Sequence, residues 1–491
     1  MRYIPFLLAF TLFAQSVDVS DSGASSGTTG SIGTVTINGQ VYNQLSLRPE
    51  IPIGKLGVGL DVYLYFNDKG MYWDSWDFSG IGPAYRTIID KIYYLRWGQP
   101  GDNLYIMAGA LPSVTLGQGI LVYNYANIME YPQVRQIGLN LQAKVAGVGI
   151  ELIHSNFKAA TPGVLGFRGS YSVLPKLNIG ASFVTDLNQL AGLPDSDGDG
   201  YPDYYDFYPT DETLHDSSDY WLDIYKEIMG NDTGFEDWYL GYNHHNPYVP
   251  NSTSDGISGI AFDVTYSLTE NITLYSQFAK LIGEISDTTI TNYLEKNDLG
   301  WGLVPLGTRA KVGPVNLLAE IRMGSRRFVF NYWDRAYDVS RVSVDGSGVM
   351  TRESQLYLYG KLTGFYAQAG MDVMNLLTLE AGYQRMQGET WDTTGDYVDG
   401  NNQTLLTTIG VNPALIPKVG KAEAFYQQSN VDNPFKFEPD ASTIWGYNLG
   451  IEVSSGVMLV YQARTTYISD LNNPGEFEAV KSIQIETQFT F

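Results

Sequence analysis

Apolar and polar residues alternate with period two along most of the chain. Ile137, Leu139, Leu141 and Ala143 alternate with Gln136, Gly138, Asn140 and Gln142. After a turn at 144–147, Val148, Ile150 and Leu152 alternate with Gly149 and Glu151. The same pattern sets Leu177, Ile179, Ala181 and Phe183 against Asn178, Gly180 and Ser182. It returns at Val315–Met323, with Asn316, Glu320 and Arg322 opposed, and at Trp445–Val453, with Gly446, Asn448, Gly450 and Glu452 opposed. Successive side chains of a strand point to opposite faces, so each stretch predicts a strand with one apolar and one polar face.

The links between these stretches alternate as well. Short links at 269–271, 311–314 and 454–456 are interleaved with long, acidic, aromatic ones over 67–87, 189–256, 327–353 and 387–400. Short turns at one end and long loops at the other predict an all-β fold. It is a transmembrane up-and-down antiparallel β-barrel of roughly 18–20 strands, with long extracellular loops and short periplasmic turns. A soluble sandwich shares the alternation, but its strands average about 5–6 residues and its outer face is rich in Lys, Glu and Thr. Here the strands approach the 9–11 residues a bilayer needs, to within about two, and the polar faces hold Gly, Asn, Ser and Gln. Tyr63, Tyr65, Tyr93, Tyr94, Trp97, Tyr123, Tyr125, Trp445 and Tyr467 fall at strand ends, where a membrane barrel carries its aromatic girdles.

The last strand carries the most specific signal. Ile483, Ile485, Thr487, Phe489 and the terminal Phe491 share one face, opposite Ser482, Gln484, Glu486, Gln488 and Thr490. This resembles the C-terminal signature of bacterial outer-membrane β-barrels that the barrel-assembly machinery reads, with Ile483, Ile485, Phe489 and Phe491 as the assembly signal. The resemblance implies a place in the outer membrane of a Gram-negative-type bacterium, with outer-membrane lipid and the assembly machinery as partners. It extends to a porin-like superfamily and singles out no member. It leaves a homo-oligomer open.

The start of the chain agrees. Residues 1–16, MRYIPFLLAFTLFAQS, combine a basic start at Arg2, a short apolar stretch and small residues at Ala14 and Ser16, the layout of a secretory signal peptide. The apolar stretch is too short to cross a bilayer as a helix, which takes about 20 residues. A polar segment over 17–34 reads as flexible, and 35–491 as the barrel, with 189–256 a large extracellular insertion.

Composition narrows the partners. There are 30 Lys+Arg against 53 Asp+Glu, a formal charge of −23, which speaks against nucleic acid. The chain has no cysteine, so disulfides and Cys-ligated metals are excluded.

The insertion carries a calcium-like spacing. Asp195, Asp197, Asp199, Asp203 and Asp206 stand at positions 1, 3, 5, 9 and 12 of a twelve-residue loop, with Gly200 at 6 and the Tyr201 carbonyl at 7. Carboxylates this dense repel one another unless a hard cation sits among them, so the expected ligand is a structural Ca²⁺; a solvated acidic loop is the plainer alternative. The segment resembles thrombospondin type 3 and dockerin-like calcium loops. It departs from an EF-hand in having Asp rather than Glu at position 12, and no helix pattern precedes it. Downstream, Tyr220, Trp221, Ile224, Tyr225 and Ile228 have helical spacing after a serine cap, predicting a short helix over the mouth.

With the apolar faces toward lipid, Glu151, Glu320, Glu380, Glu423, Glu452 and Glu486 fall on the lumen face, with Arg322 and Lys421 as basic partners. Surplus carboxylates in a wet passage attract cations, while paired ones fill a plugged interior. Four histidines, His154, His215, His244 and His245, form no catalytic constellation by spacing, and no nucleophile elbow, HExxH or phosphate cradle is present. The resulting expectation is a porin-like, cation-biased channel for passive passage of small hydrophilic solutes, and not an enzyme. The alternative is a closed surface barrel with a binding or structural role through calcium-stabilised loops. A transporter of apolar ligands requires an aromatic lumen, and a barrel hydrolase requires His154.

Overall fold

The computed structural model describes residues 28–37, 40–128, 135–159, 161–193, 195, 200–211, 213–214, 255–285, 297–335, 337–345, 348–373, 376–392, 395–411, 416–439, 443–454, 457–469 and 477–490. The expected signal peptide, the helix proposed near Tyr220, and Asp197, Asp199, His215, His244, His245 and Phe491 lie outside the described residues.

Antiparallel neighbours in sequence pair around a single sheet of 22 strands, which closes when Thr28–Ile37 pairs with Phe477–Thr490, from Thr29↔Thr490 to Ile32↔Thr487. Leu56–Leu60 and Val62–Asn67 are two halves of one strand, both paired with Gln40–Ile53, and Gly70–Met71 only lengthens a hairpin, so the chain passes the wall twenty times. The fold is therefore the expected transmembrane up-and-down barrel. Its first strand begins at Thr28, inside the segment 17–34 expected to be a flexible tail.

Alternation decides the two faces. Phe167, Ile179, Phe183, Phe262, Val264, Ile321, Phe365, Ile409, Trp445 and Ile451 are exposed on the outside, while Arg168, Asp263, Glu320, Arg322 and Tyr366 between or opposite them are buried. An apolar exterior around a polar interior is what lipid on one side and water on the other select. The links alternate as expected. Those near 54, 98–103, 146–147, 175–176, 270–271 and 313–314 are short, and the strand ends that flank the long links over 68–91, 110–137, 187–256 and 325–358 lie at the opposite end. The 387–400 link is a correction: it is mostly strand, with Leu377–Trp391 and Tyr397–Val411 paired out to Trp391↔Tyr397.

Two of the long links turn into the barrel. Residues 110–127 fold back on themselves through the Val114↔Tyr125 bridge, and Val122 bridges in parallel to Trp333 of the 325–358 link. Leu111, Val122, Tyr125, Tyr332, Trp333, Tyr337 and Leu356 are almost fully buried and belong to the main apolar core. Gly302 makes room for this core, since a Cβ there would stand 2.0 Å from the Phe328 ring. The girdle expected at the strand ends is accordingly divided. Trp97 and Trp445 face outward, whereas Tyr63, Tyr65, Tyr94 and Tyr125 are buried and Tyr123 points into the lumen.

Candidate functional site

The inward segment 110–127 is held across the lumen by side chains from four strands. Gln118 donates to the Thr265 hydroxyl at 3.3 Å, and the Ile120 amide donates to Gln277 at 3.2 Å. Arg309 donates to the Gln118 side chain at 3.1 Å, and Tyr123 donates to Gln368 at 3.3 Å. The second inward segment braces the first, with the Asn331 amide donating to the Gly119 carbonyl at 2.6 Å. At Gly117 the backbone adopts φ +61°, and a Cβ would stand 2.7 Å from Arg168 Nε, so the turn passes against that guanidinium.

This crossing divides the lumen. Toward the long loops lies a cavity of about 110 Å³ bordered by Tyr123, Arg322, Phe330, Asp334, Arg352 and Gln384. Toward the short turns lies one of about 640 Å³ bordered by Tyr123, Glu270, Arg309, Gln368, Asp372 and Glu380. Between them lies a small cavity of about 10 Å³, termed the throat, bordered by Tyr123, Arg309, Glu320, Arg322 and Tyr366. Tyr123 lines all three.

The lumen carboxylates are largely paired. Glu320 accepts from Arg322 at 2.6 Å and from the Tyr275 hydroxyl at 2.6 Å, and Arg322 reaches Gln384 at 2.7 Å while lying 4.4 Å above the Tyr366 ring. Glu151 accepts from Arg168 at 3.0 Å, and the same guanidinium holds Asp263 at 2.7 Å. Glu380 accepts from the Gln368 amide. Glu423 is buried, and Glu452 is exposed near the end of the strand Ile444–Ser454. Glu486, like Ile483, Ile485 and Phe489, lies in Phe477–Thr490, whose register to Val457–Ser469 is regular.

Arg168, Arg309, Asp263 and Gln368 were not among the lumen residues expected from sequence, and Tyr123 was expected in the girdle. Arg168 and Asp263 were open to the same parity reasoning, since each alternates with outward apolar residues: Asp263 stands between Phe262 and Val264. Tyr123 and Gln118 had no such signal, because they sit in a link.

The second segment is held by buried charges. Arg352 donates to Asp334 at 2.9 Å beneath the Tyr332 and Tyr337 rings, and Arg341 donates to Asp186 at 3.1 Å. Asp338 accepts from the Tyr125 hydroxyl at 2.5 Å, and burial raises its pKa above the ordinary carboxylate value.

In the acidic insertion, Asp195 accepts from the Gly200 amide at 3.1 Å, and Gly200 adopts φ +97°, the sharp turn that a calcium loop needs at its sixth position. Asp206 is buried and accepts from the Tyr208 amide at 2.8 Å. Tyr201 packs with Tyr205 against Leu190, Leu193 and Val342. His154 stacks on Phe157 with ring centroids 4.0 Å apart, and the Ser155 hydroxyl accepts from the Val164 amide at 3.0 Å.

No family model matches the chain, and no curated protein matches it. Solved structures with similarity include Pseudomonas aeruginosa OccK3 (OpdO), at 9% identity over 95% of both chains with a TM-score of 0.37. Pseudomonas aeruginosa OpdL shows 10% identity over 95% of this chain and 98% of its own, with a TM-score of 0.35. Acinetobacter baumannii OccAB3 shows 11% identity over 95% and 98%, with a TM-score of 0.31.

Proposed function

We propose that the protein is a channel in the outer membrane of a Gram-negative-type bacterium that passes small hydrophilic solutes passively. The observation that supports this reading is the polar-lined interior, in which cavities on both sides of the crossing share Tyr123 as a lining residue. Lipid on the apolar exterior and water in the lumen account for the two faces.

The cation bias expected from the glutamates is proposed in a weaker form. Arg168 and Arg322 offset Glu151, Asp263 and Glu320. Glu270, Asp372 and Glu380 in the inner chamber outnumber Arg309 and Lys311 and leave a mild attraction for cations. The test is single-channel conductance in planar bilayers with the reversal potential under a salt gradient. Discrete open steps with a cation-preferring potential support the reading; an anion-preferring potential removes the bias.

The throat favours a second reading. Its 10 Å³ is about the room of one water molecule, which suits a closed barrel whose surface loops bind or brace. A folded but silent barrel decides for that reading. In either case we propose that the side chains of Asp195, Asp197, Asp199, Asp203 and Asp206 with the Tyr201 carbonyl hold a structural Ca²⁺. The turn at Gly200 supports the fit.

A further inference from the structure

At one place the barrel wall is incomplete as a sheet. Val62–Asn67 pairs with Gln40–Ile53 on one side, from Leu47↔Val62 to Asn43↔Phe66. On its other side, among the described residues, the ladder is limited to Gly70–Met71. The strand that should continue there, Ile92–Trp97, ends at the Leu60↔Ile92 pair, and Leu104–Gly109 ends opposite Tyr94. Each of these two strands has 6 residues, against the 9–11 or so that cross a bilayer. The missing part is the half of the wall nearer the long loops.

The segment 68–91 fills that notch. The Trp76 indole N–H donates to the Tyr63 carbonyl at 2.8 Å, taking an acceptor on the strand's open edge. The 10-residue helix Ile81–Asp90 follows. It is pinned on its inner side, where the Thr87 hydroxyl donates to the Asp77 carbonyl at 2.9 Å. At its end the Lys91 ammonium lies 3.8 Å above the Tyr63 ring, which faces inward beside buried Ser46 and Gln44.

The other side of the helix is apolar and uncovered. Ile81 is 94% exposed, Tyr85 66% and Ile88 58%, and Trp73 and Phe78 beside them are exposed as well. At about 100° per residue, positions 81, 85 and 88 form one stripe on the far side from buried Thr87. Asp90, near the helix end, is engaged by Lys158 at 2.7 Å. On the flanking strands Phe66, Leu95 and Trp97 also face outward and are exposed, so the stripe continues the apolar exterior that the barrel turns to lipid.

We propose that helix Ile81–Asp90, with Trp73 and Phe78, completes the wall and rests its apolar stripe in the lipid of the outer leaflet. An amphipathic helix with aromatic flanks settles about 5–10 Å into the boundary between headgroups and acyl chains.

The absence of native cysteine makes the test direct. Ile81→Cys, Tyr85→Cys and Ile88→Cys are labelled singly with a nitroxide, with Asp211→Cys in an exposed loop as the aqueous control. Folding of each is confirmed by heat-modifiable migration, and the proteins are reconstituted in phosphatidylcholine vesicles. The proposal expects all three stripe labels to collide with oxygen several-fold more than with a water-soluble nickel chelate, the reverse of the control. Chelate collision equal to the control places the helix in water and overturns the proposal. Exclusion of both reagents with dipolar broadening between labels places a second copy on the stripe and also overturns it.

Discussion

The Tyr125 hydroxyl donates to Asp338 at 2.5 Å, and these two residues tie together the two segments that fold into the barrel. Tyr125 comes from the crossing that carries Tyr123, and Asp338 from the short helix Tyr337–Ser340 in the second segment. Burial raises the Asp338 pKa, Arg341 works against that rise, and so does the tyrosine hydrogen bond.

The sign of the pH effect follows from that direction. A raised folded-state pKa contributes stability that is present below the unfolded value, near 3.8, and is lost as pH climbs through the folded value. The packing that buries Asp338 therefore loses stability toward neutral pH and regains it on mild acidification. Asp338→Asn removes this dependence. Limited proteolysis of 325–358 from pH 4 to pH 7, the window in which an ordinary and a raised carboxylate differ, is expected to accelerate in the parent and less steeply in the variant, where Asp255, raised by burial and bonded to Thr351, still titrates. Parallel profiles rule the assignment out.

Tyr123→Ala removes the ring shared by the two chambers and the throat. If solute passes there, single-channel conductance rises about twofold or more, because a constriction dominates the resistance of a pore. Tyr123→Phe keeps the ring, loses the bond to Gln368, and is expected to conduct nearly as the parent does. Unchanged conductance in Tyr123→Ala moves the passage elsewhere.

Arg168 serves Glu151 and Asp263 together. Arg168→Met leaves two carboxylates facing each other without their cation, a loss of about 3–5 kcal/mol when one partner of a buried pair is removed. Asp263 is buried but Glu151 is partly open to the lumen, so the lower end of that range is expected. Urea unfolding followed by heat-modifiable migration reads the stability, and the reversal potential of the variant is expected to shift toward cations.

The calcium proposal has its own test. Chelation with EDTA, or Asp197→Asn, is expected to speed protease cleavage within 189–256 several-fold while the barrel stays folded. Identical cleavage with and without chelator removes the metal from the account.

How much of this was open to sequence reasoning differs residue by residue. Glu320 and Arg322 lie two apart on one strand, so parity alone puts them on the same face, and their ion pair follows from local geometry. Arg168 and Asp263 obey the same parity, yet they are 95 residues apart, and their pairing depends on which strands the sheet brings together. The helix Ile81–Asp90 falls mostly within the stretch 67–87 expected to be a long link, and its Pro83 stands in the first helical turn, where Pro is well tolerated. Tyr123 and Tyr125 read as girdle because a membrane barrel carries aromatics at its strand ends; Tyr125 is buried inside the barrel and Tyr123 points into the lumen instead.

The alternation by itself determined the class of fold, the two ends of the barrel and the face each strand residue occupies. These are local consequences of an extended backbone, whose side chains change sides at every residue. The tertiary structure alone decided which lumen charges neutralise one another, that two links fold inward to leave a throat at Tyr123, and that a helix stands in for part of the wall. Those outcomes rest largely on contacts between residues 10 to 245 positions apart, which no periodicity records, because a link carries no repeating geometry and settles wherever the closed barrel offers its side chains partners.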